Sequence, residues 1–322
     1  MTKLHLIFRN LFLLIALTVT ISSCQKEYFG SEGEYDWDEE IGDYGESEDE
    51  EEGALTLYQI SGNQISKIKD YDVRKKYVSY QEDVATHQAM WDYFTQLIPS
   101  DARQRIVEFE VFHGEGDILG YVAPIDDTDL SRWKMGLAID VASNLNNVDL
   151  QTEFAYTIIH EVGHVLTLDD TQIDSGTGIG ACGAFHIDEG CANPNSYINE
   201  LFTLGWADIM GEFEKIRNED ENYDFYLKYQ DRFVSDYAAS NPAEDIAEVF
   251  AVFVTSNQTP RGNTIADQKV QAMYERPELV KLREIIRESA VVRAMKAGSW
   301  KRPKAKCKHK HRSVQANTTH HF

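Results

Sequence analysis

The chain has 322 residues, of which 54 are Asp or Glu and 31 are Lys or Arg, giving a formal net charge of -23. That balance argues against nucleic acid as a partner, because an acidic surface repels a polyanion. Hydrophobic residues make up 42%, enough for one substantial core, and much of the negative charge falls in a single stretch near the N-terminus.

The first segment, MTKLHLIFRNLFLLIALTVTISSC, places Lys3 and Arg9 ahead of an apolar run from Leu11 to Ile21. That run is short for a spanning helix, and a basic start before it is the pattern of a secretory signal peptide, read here as residues 1–23. Ile21-Ser22-Ser23-Cys24 resembles a bacterial lipobox, which implies lipidation of Cys24. Acyl chains there would tether an exported domain to a membrane without a spanning helix, each buried methylene contributing about 0.8 kcal/mol. Residues 24–53 are acidic and dotted with Gly and Ser, and no Lys or Arg occurs from Glu27 to Ser66. Such a run repels itself and buries too little apolar surface to fold, so it is expected to be a disordered tether. Acidic residues just behind the lipidated cysteine are also compatible with a surface-export signal of outer-membrane lipoproteins. The expected location is therefore the outer membrane, facing outwards.

Residues 54–300 are expected to form the folded domain. In 77–99, Val84, Met90, Trp91, Phe94 and Leu97 recur on one helix face and Pro99 ends the run. RIVEFEVFH, ILGYVAPI and KMGLAIDVA alternate as strands separated by turn residues. Beyond Gln151 the pattern becomes helical: Glu153 to Leu168, a block from Tyr197 to about Tyr229, Pro242 to Thr255, and a pair within Ile265 to Ala297. A sheet followed by helices is an α+β fold, here expected to be zincin-like: a small mixed sheet, an active-site helix and a mostly helical C-terminal part. Cys182 and Cys191 would close the short loop CGAFHIDEGC as a disulfide in an exported protein, leaving Cys307 odd. Residues 301–322 begin with seven Lys or Arg in twelve positions and lack any apolar pattern. They read as a basic disordered tail, in which Cys307, His309 and His311 offer a place for a stray metal ion.

The stretch AYTIIHEVGHVLTLDD carries the chemistry. On a helix His160 and His164 lie one turn apart and reach one Zn²⁺ at about 2.0–2.1 Å, while Glu161 is rotated from them, towards the water that zinc activates. That arrangement suits Glu161 as a general base. A catalytic zinc needs a third protein ligand. A metzincin continuation would have glycine at 167 and histidine at 170; Thr167 and Asp170 stand there instead, and Asp170 as a ligand would lack the glycine turn. The remaining candidate is RFVSDYAASNPAEDIAEVFAVFV, residues 232–254, where Asn241-Pro242 opens a helix and Glu244 and Glu248 share a face one turn apart among apolar neighbours. Two such carboxylates call for a cation or hydrogen-bond donors; a solvated stripe is the alternative.

HEVGH together with YAASNPAEDIAEVFA resembles the gluzincin metalloproteases related to anthrax lethal factor, and FVSDYAASNPAEDIAEVFA is similar to the zinc-binding metallopeptidase lipoproteins of Bacteroides-like bacteria, some associated with TonB-dependent substrate import. The resemblance covers the lipoprotein leader and roughly residues 138–254. It implies that His160, His164 and Glu244 hold Zn²⁺ and that Glu161 is the base. It further implies that Glu248 orients a ligand imidazole from behind and that Tyr237 donates a hydroxyl hydrogen bond to the oxyanion. Ile246 departs from the aromatic residue usual in that family, and the interval between His164 and Glu244 is longer. In that interval His186 reads as a surface loop residue and not a fourth ligand. The strand MGLAIDVA is expected to be the sheet edge on which an extended peptide pairs. The expected function is a lipid-anchored zinc metallopeptidase acting on a peptide or protein substrate; the alternative is an accessory surface-binding lipoprotein of a nutrient import system.

Overall fold

The alternation of apolar and polar residues after the tether builds strands first and buried helices afterwards. The computed structural model describes residues 53–293 apart from 117, 144–146 and 291. The signal peptide, Cys24, the tether up to its last residue, and the basic tail with Cys307, His309 and His311 lie outside the described residues. In chain order the elements are β1 (Ala54–Ser61), β2 (Gln64–Asp70), α1 (Val78–Glu82), α2 (Val84–Leu97), β3 (Ile106–Phe112), β4 (Gly120–Asp126), β5 (Asp129–Ala138), α3 (Ile139–Ala142) and α4 (Val148–Leu168). There follow β6 (Ile173–Asp174), β7 (His186–Ile187), β8 (Gly190–Ala192), α5 (Tyr197–Gly205), α6 (Met210–Phe213), α7 (Glu219–Lys228), α8 (Pro242–Thr255), α9 (Ile265–Tyr274) and α10 (Pro277–Arg287). The fold is mixed α+β with a small open sheet, and among the described residues no helix is long and apolar enough to cross a membrane.

The main sheet has the order β2-β1-β3-β5-β4, with β3 and β5 parallel and the other neighbours antiparallel. Two expectations are corrected by it. The hairpin β1–β2 precedes the first long helix, whereas the sheet was expected to begin after that helix. The strand that contains MGLA is flanked on both sides, by β3 and β4, and the edge beside the histidine helix is β4. Alternation reveals which residues form a strand but not its neighbours.

Helix α2 lays Met90, Trp91, Phe94 and Leu97 into the core, with the Trp91 ring 5.5 Å from that of Phe109 on β3. Val84, expected on the same face, is half exposed because it is the first residue after the cap, where the Asp83 side chain accepts from the Thr86 amide. Helix α4 is buried nearly all round, by Phe154, Ile158, Ile159, Val162 and Val165, and packs between the sheet and α8. Gly163 makes the approach of α8 close: a Cβ there would lie 3.2 Å from Ala247 Cα and 3.1 Å from a Phe250 ring carbon. Helix α8 begins as the sequence requires, with Asn241 accepting from the Glu244 amide at 2.9 Å and Pro242 in the first turn.

The first turn of α8 carries two neighbouring acids that face different ways. Glu244 faces α4. Asp245 faces α9 and α5, where its Oδ2 accepts from Trp206 Nε1 at 2.7 Å and from Lys269 Nζ, which also donates to the Arg232 carbonyl at 2.8 Å. Both charged side chains are fully buried, so burial pushes the Asp245 carboxyl up and the Lys269 ammonium down. Removing one member strands the other. Lys269→Met is expected to cost about 3–5 kcal/mol in urea unfolding, and adding Asp245→Asn to restore much of that loss, because the uncompensated charge is then gone.

Candidate metal centre

Helix periodicity places His160 and His164 on one face of α4, and the close packing at Gly163 carries Glu244 of α8 to meet them. His160 Nε2 lies 3.1 Å from His164 Nε2 and 3.1 Å from Glu244 Oε2, and His164 Nε2 lies 3.5 Å from the same carboxylate oxygen. Ligands bonded to one tetrahedral zinc at about 2.0–2.1 Å stand about 3.3 Å from each other, which is the spacing found. All three side chains are buried. This group is able to hold a metal ion.

Behind the ligands stands Glu248, one turn further along α8. Its Oε1 is 3.0 Å from His160 Nδ1 and accepts from the Tyr156 hydroxyl at 3.2 Å; its Oε2 accepts from Ser235 Oγ at 2.5 Å. A carboxylate on Nδ1 fixes the proton there and leaves the Nε2 lone pair free to bind a cation. Ser235 is itself held, since its Oγ accepts from the Ala238 amide at 3.0 Å.

The charges in this cluster suit a cation. Burial would push the His160 imidazole down, but hydrogen bonds from it to Glu244 and Glu248, with their charges, hold it well above the ordinary histidine range. Burial likewise would raise Glu244, and the two histidines overcome it and lower that carboxyl. A proton on His160 thus satisfies the cluster only in part: Glu244 Oε1 accepts no hydrogen bond. Glu161 is more exposed electrostatically. It is fully buried, neither of its oxygens has a hydrogen-bond partner, and burial, reinforced by the charge of Glu244, pushes its carboxyl up to about 8. The Val122 backbone on edge strand β4 opposes that rise without reaching hydrogen-bond geometry, which puts Glu161 between the ligand group and the sheet edge.

Tyr237 sits in a single helical turn before α8, buried, with its ring 5.7 Å from that of His160. The structure thus brings His160, Glu161, His164, Tyr237, Glu244 and Glu248 together. It excludes Asp170 from the cluster, since that side chain is exposed and paired with Arg105 at 2.6 Å. His186 is half-buried in β7 and outside the ligand group. Cys182 and Cys191 form the expected disulfide. Tyr156 and Ser235 were missed. Tyr156 lies one turn before His160 on the same helix face, so its position was readable; Ser235 has no sequence signal beyond its proximity to Tyr237.

Metal affinity is the direct readout of this geometry. Competition with a chromophoric chelator should show one tight divalent ion per chain, lost in His164→Ala and Glu244→Ala. Glu248→Gln should weaken it by roughly 10- to 100-fold, because the imidazole loses its orienting partner while the ligands remain. Equal affinity for wild type and Glu244→Ala would place the ion elsewhere. Comparison of the chain with protein-family models, with characterised proteins and with solved structures finds no match, so the roles of these residues rest on the geometry and on the sequence motifs.

Proposed function

We propose that this chain is a zinc-dependent metallopeptidase of zincin type, exported and lipid-anchored through Cys24 at the outer cell surface. The observation that carries the reading is Glu161: a fully buried carboxylate without a hydrogen-bond partner, placed next to a two-histidine, one-carboxylate group. Keeping such a carboxylate unsatisfied costs about 1–3 kcal/mol or more. A protein that only binds ligands, or that uses metal only for structure, gains nothing from that cost. Two histidines and a carboxylate also suit catalytic zinc better than the sulfur-rich, closed shells of structural zinc.

Zinc, when held by His160, His164 and Glu244, supplies Lewis acidity that polarises a carbonyl and lowers the pKa of water. The residues of the chain do the rest. Glu161 takes the proton from attacking water on a carboxylate oxygen and passes it to the nitrogen of the departing amine. Burial raises its carboxyl in the metal-free chain, and the charge of a bound zinc ion would lower it again, leaving the carboxylate ionised to take the first proton. Tyr237, beside the His160 ring, is proposed to donate its hydroxyl proton in a hydrogen bond to the oxyanion. A peptide is favoured as substrate because β4 is an edge strand alongside α4, and an unpaired edge offers backbone groups to an extended chain.

Incubation of the zinc-loaded protein with a fluorogenic peptide library tests this. Wild type should cleave, Glu161→Gln should lose at least about a thousandfold in kcat with zinc content unchanged, and Tyr237→Phe should lose about a hundredfold in kcat with KM little altered. Cleavage that survives Glu161→Gln would remove that residue from the chemistry.

A further inference from the structure

Glu189 belongs neither to the ligand group nor to its supports, and the residue is only half-buried, yet one of its carboxylate oxygens is shut off from water. Ile187 pairs with Gly190 across β7 and β8, which makes Asp188 and Glu189 a two-residue hairpin tip. Tip residues ordinarily reach into solvent, and Asp188 does. Glu189 instead turns inwards: its Oε2 is shut off from water and accepts no hydrogen bond. The hairpin is pinned in that pose. The Cys182–Cys191 disulfide closes its base, Phe185 stacks on Phe202 of α5 at 3.8 Å, and Gly190, at φ +139°, lies so close to β6 that a Cβ would come 2.5 Å from the Asp174 carbonyl.

The charges that act on Glu189 are those of Asp188, His164 and Glu244, which sets its carboxylate on the metal-ligand side of the hairpin. Burial drives that carboxyl up, its own backbone amide holds it back, and Asp188 and Glu244 push it up further against His164. No lysine or arginine is among these neighbours. The ligand atoms of His160, His164 and Glu244 lie within 4.8 Å of one another and form a group without Glu189, so this carboxylate is not a fourth ligand. A carboxylate with one desolvated oxygen that lacks a donor, beside Glu161 and Glu244, is complemented by a cation arriving from outside.

We propose that Glu189 is the residue by which this site selects its substrate, binding a positively charged ammonium or guanidinium group of the peptide. The proposal rests on the peptide reading above. The charged group comes either from the free chain terminus or from a lysine or arginine side chain.

The test uses binding, so that it does not depend on turnover. Zinc-loaded full-length Glu161→Gln protein is offered four pools of random octapeptides, with free or acetylated N-termini and with or without lysine and arginine, and retained peptides are counted by mass spectrometry. The same is done with Glu161→Gln/Glu189→Gln, after its zinc content and melting temperature have been matched, and with Glu189→Asp in the same background, which keeps the charge. Charged pools should be enriched at least tenfold over the acetylated pool without basic residues. That preference should vanish in Glu189→Gln and persist, weakened, in Glu189→Asp. Enrichment that follows the free terminus assigns the α-amine, and enrichment that follows basic residues assigns the side chain. Retention without charge preference, or a preference unchanged by Glu189→Gln, overturns the proposal and leaves the peptidase reading standing. No retention of any pool, with no cleavage by wild type, brings down both.

Discussion

Two helices that are each buried almost all round, α4 and α8, can share a metal centre only if their backbones come close, and Gly163 is where they do. With no side chain at that position, Ala247 and Phe250 settle against α4, and Glu244 and Glu248, each one helical step from those contacts, arrive at His160 from two sides. A β-carbon at 163 would crowd Ala247 and Phe250, so that α8 would have to give by a few tenths of an ångström. The glycine inside HEVGH therefore sets how closely α8 approaches the two histidines. About 100° round the same turn of α8, the buried ion pair between Asp245 and Lys269 ties the helix to α9.

Around this contact the chain concentrates carboxylates that water does not reach. Each has a different remedy for its burial. Glu248 is bound by Tyr156, Ser235 and His160; Asp245 is bound by a lysine and a tryptophan; Glu244 shares one oxygen with two histidines. Glu161 has no such remedy on either oxygen, whereas Glu244, Asp245 and Glu189 each leave a single oxygen without a donor. The acids with partners hold the architecture, and Glu161, the one with none on either oxygen, stands beside the group that could hold a metal ion. This division by hydrogen-bond satisfaction, more than the motif itself, is what favours chemistry over storage of a metal ion.

The site was more legible than the fold. His160 and His164 at helical spacing, and Asn241-Pro242 followed by Glu244 and Glu248 among apolar residues, are local patterns, and local patterns survive in a single sequence. Tyr237 was legible only through the family resemblance. The sheet was readable strand by strand, but its order was not, because alternation of Met135 and Leu137 looks the same in a central strand as at an edge. The hairpin β1–β2 is hard to read because the short apolar strand ALTLYQIS starts directly behind the acidic run and its partner QISKIKD is mostly exposed and polar. Glu189 was invisible: a glutamate between an aspartate and a glycine reads as a solvated turn, and only the pinned hairpin turns it inwards.

X-ray absorption at the zinc edge, on the purified full-length chain carrying one zinc, tests the central claim most directly, that α4 and α8 together form one centre from His160, His164 and Glu244. The account predicts a coordination sphere of nitrogen and oxygen only, at about 2.0–2.1 Å, with the multiple scattering of two imidazoles that falls to one in His164→Ala. A sulfur scatterer at about 2.3 Å would place the ion on a cysteine such as Cys307 in the basic tail, and a spectrum unchanged by His164→Ala would place it away from α4. Either result would contradict the centre described.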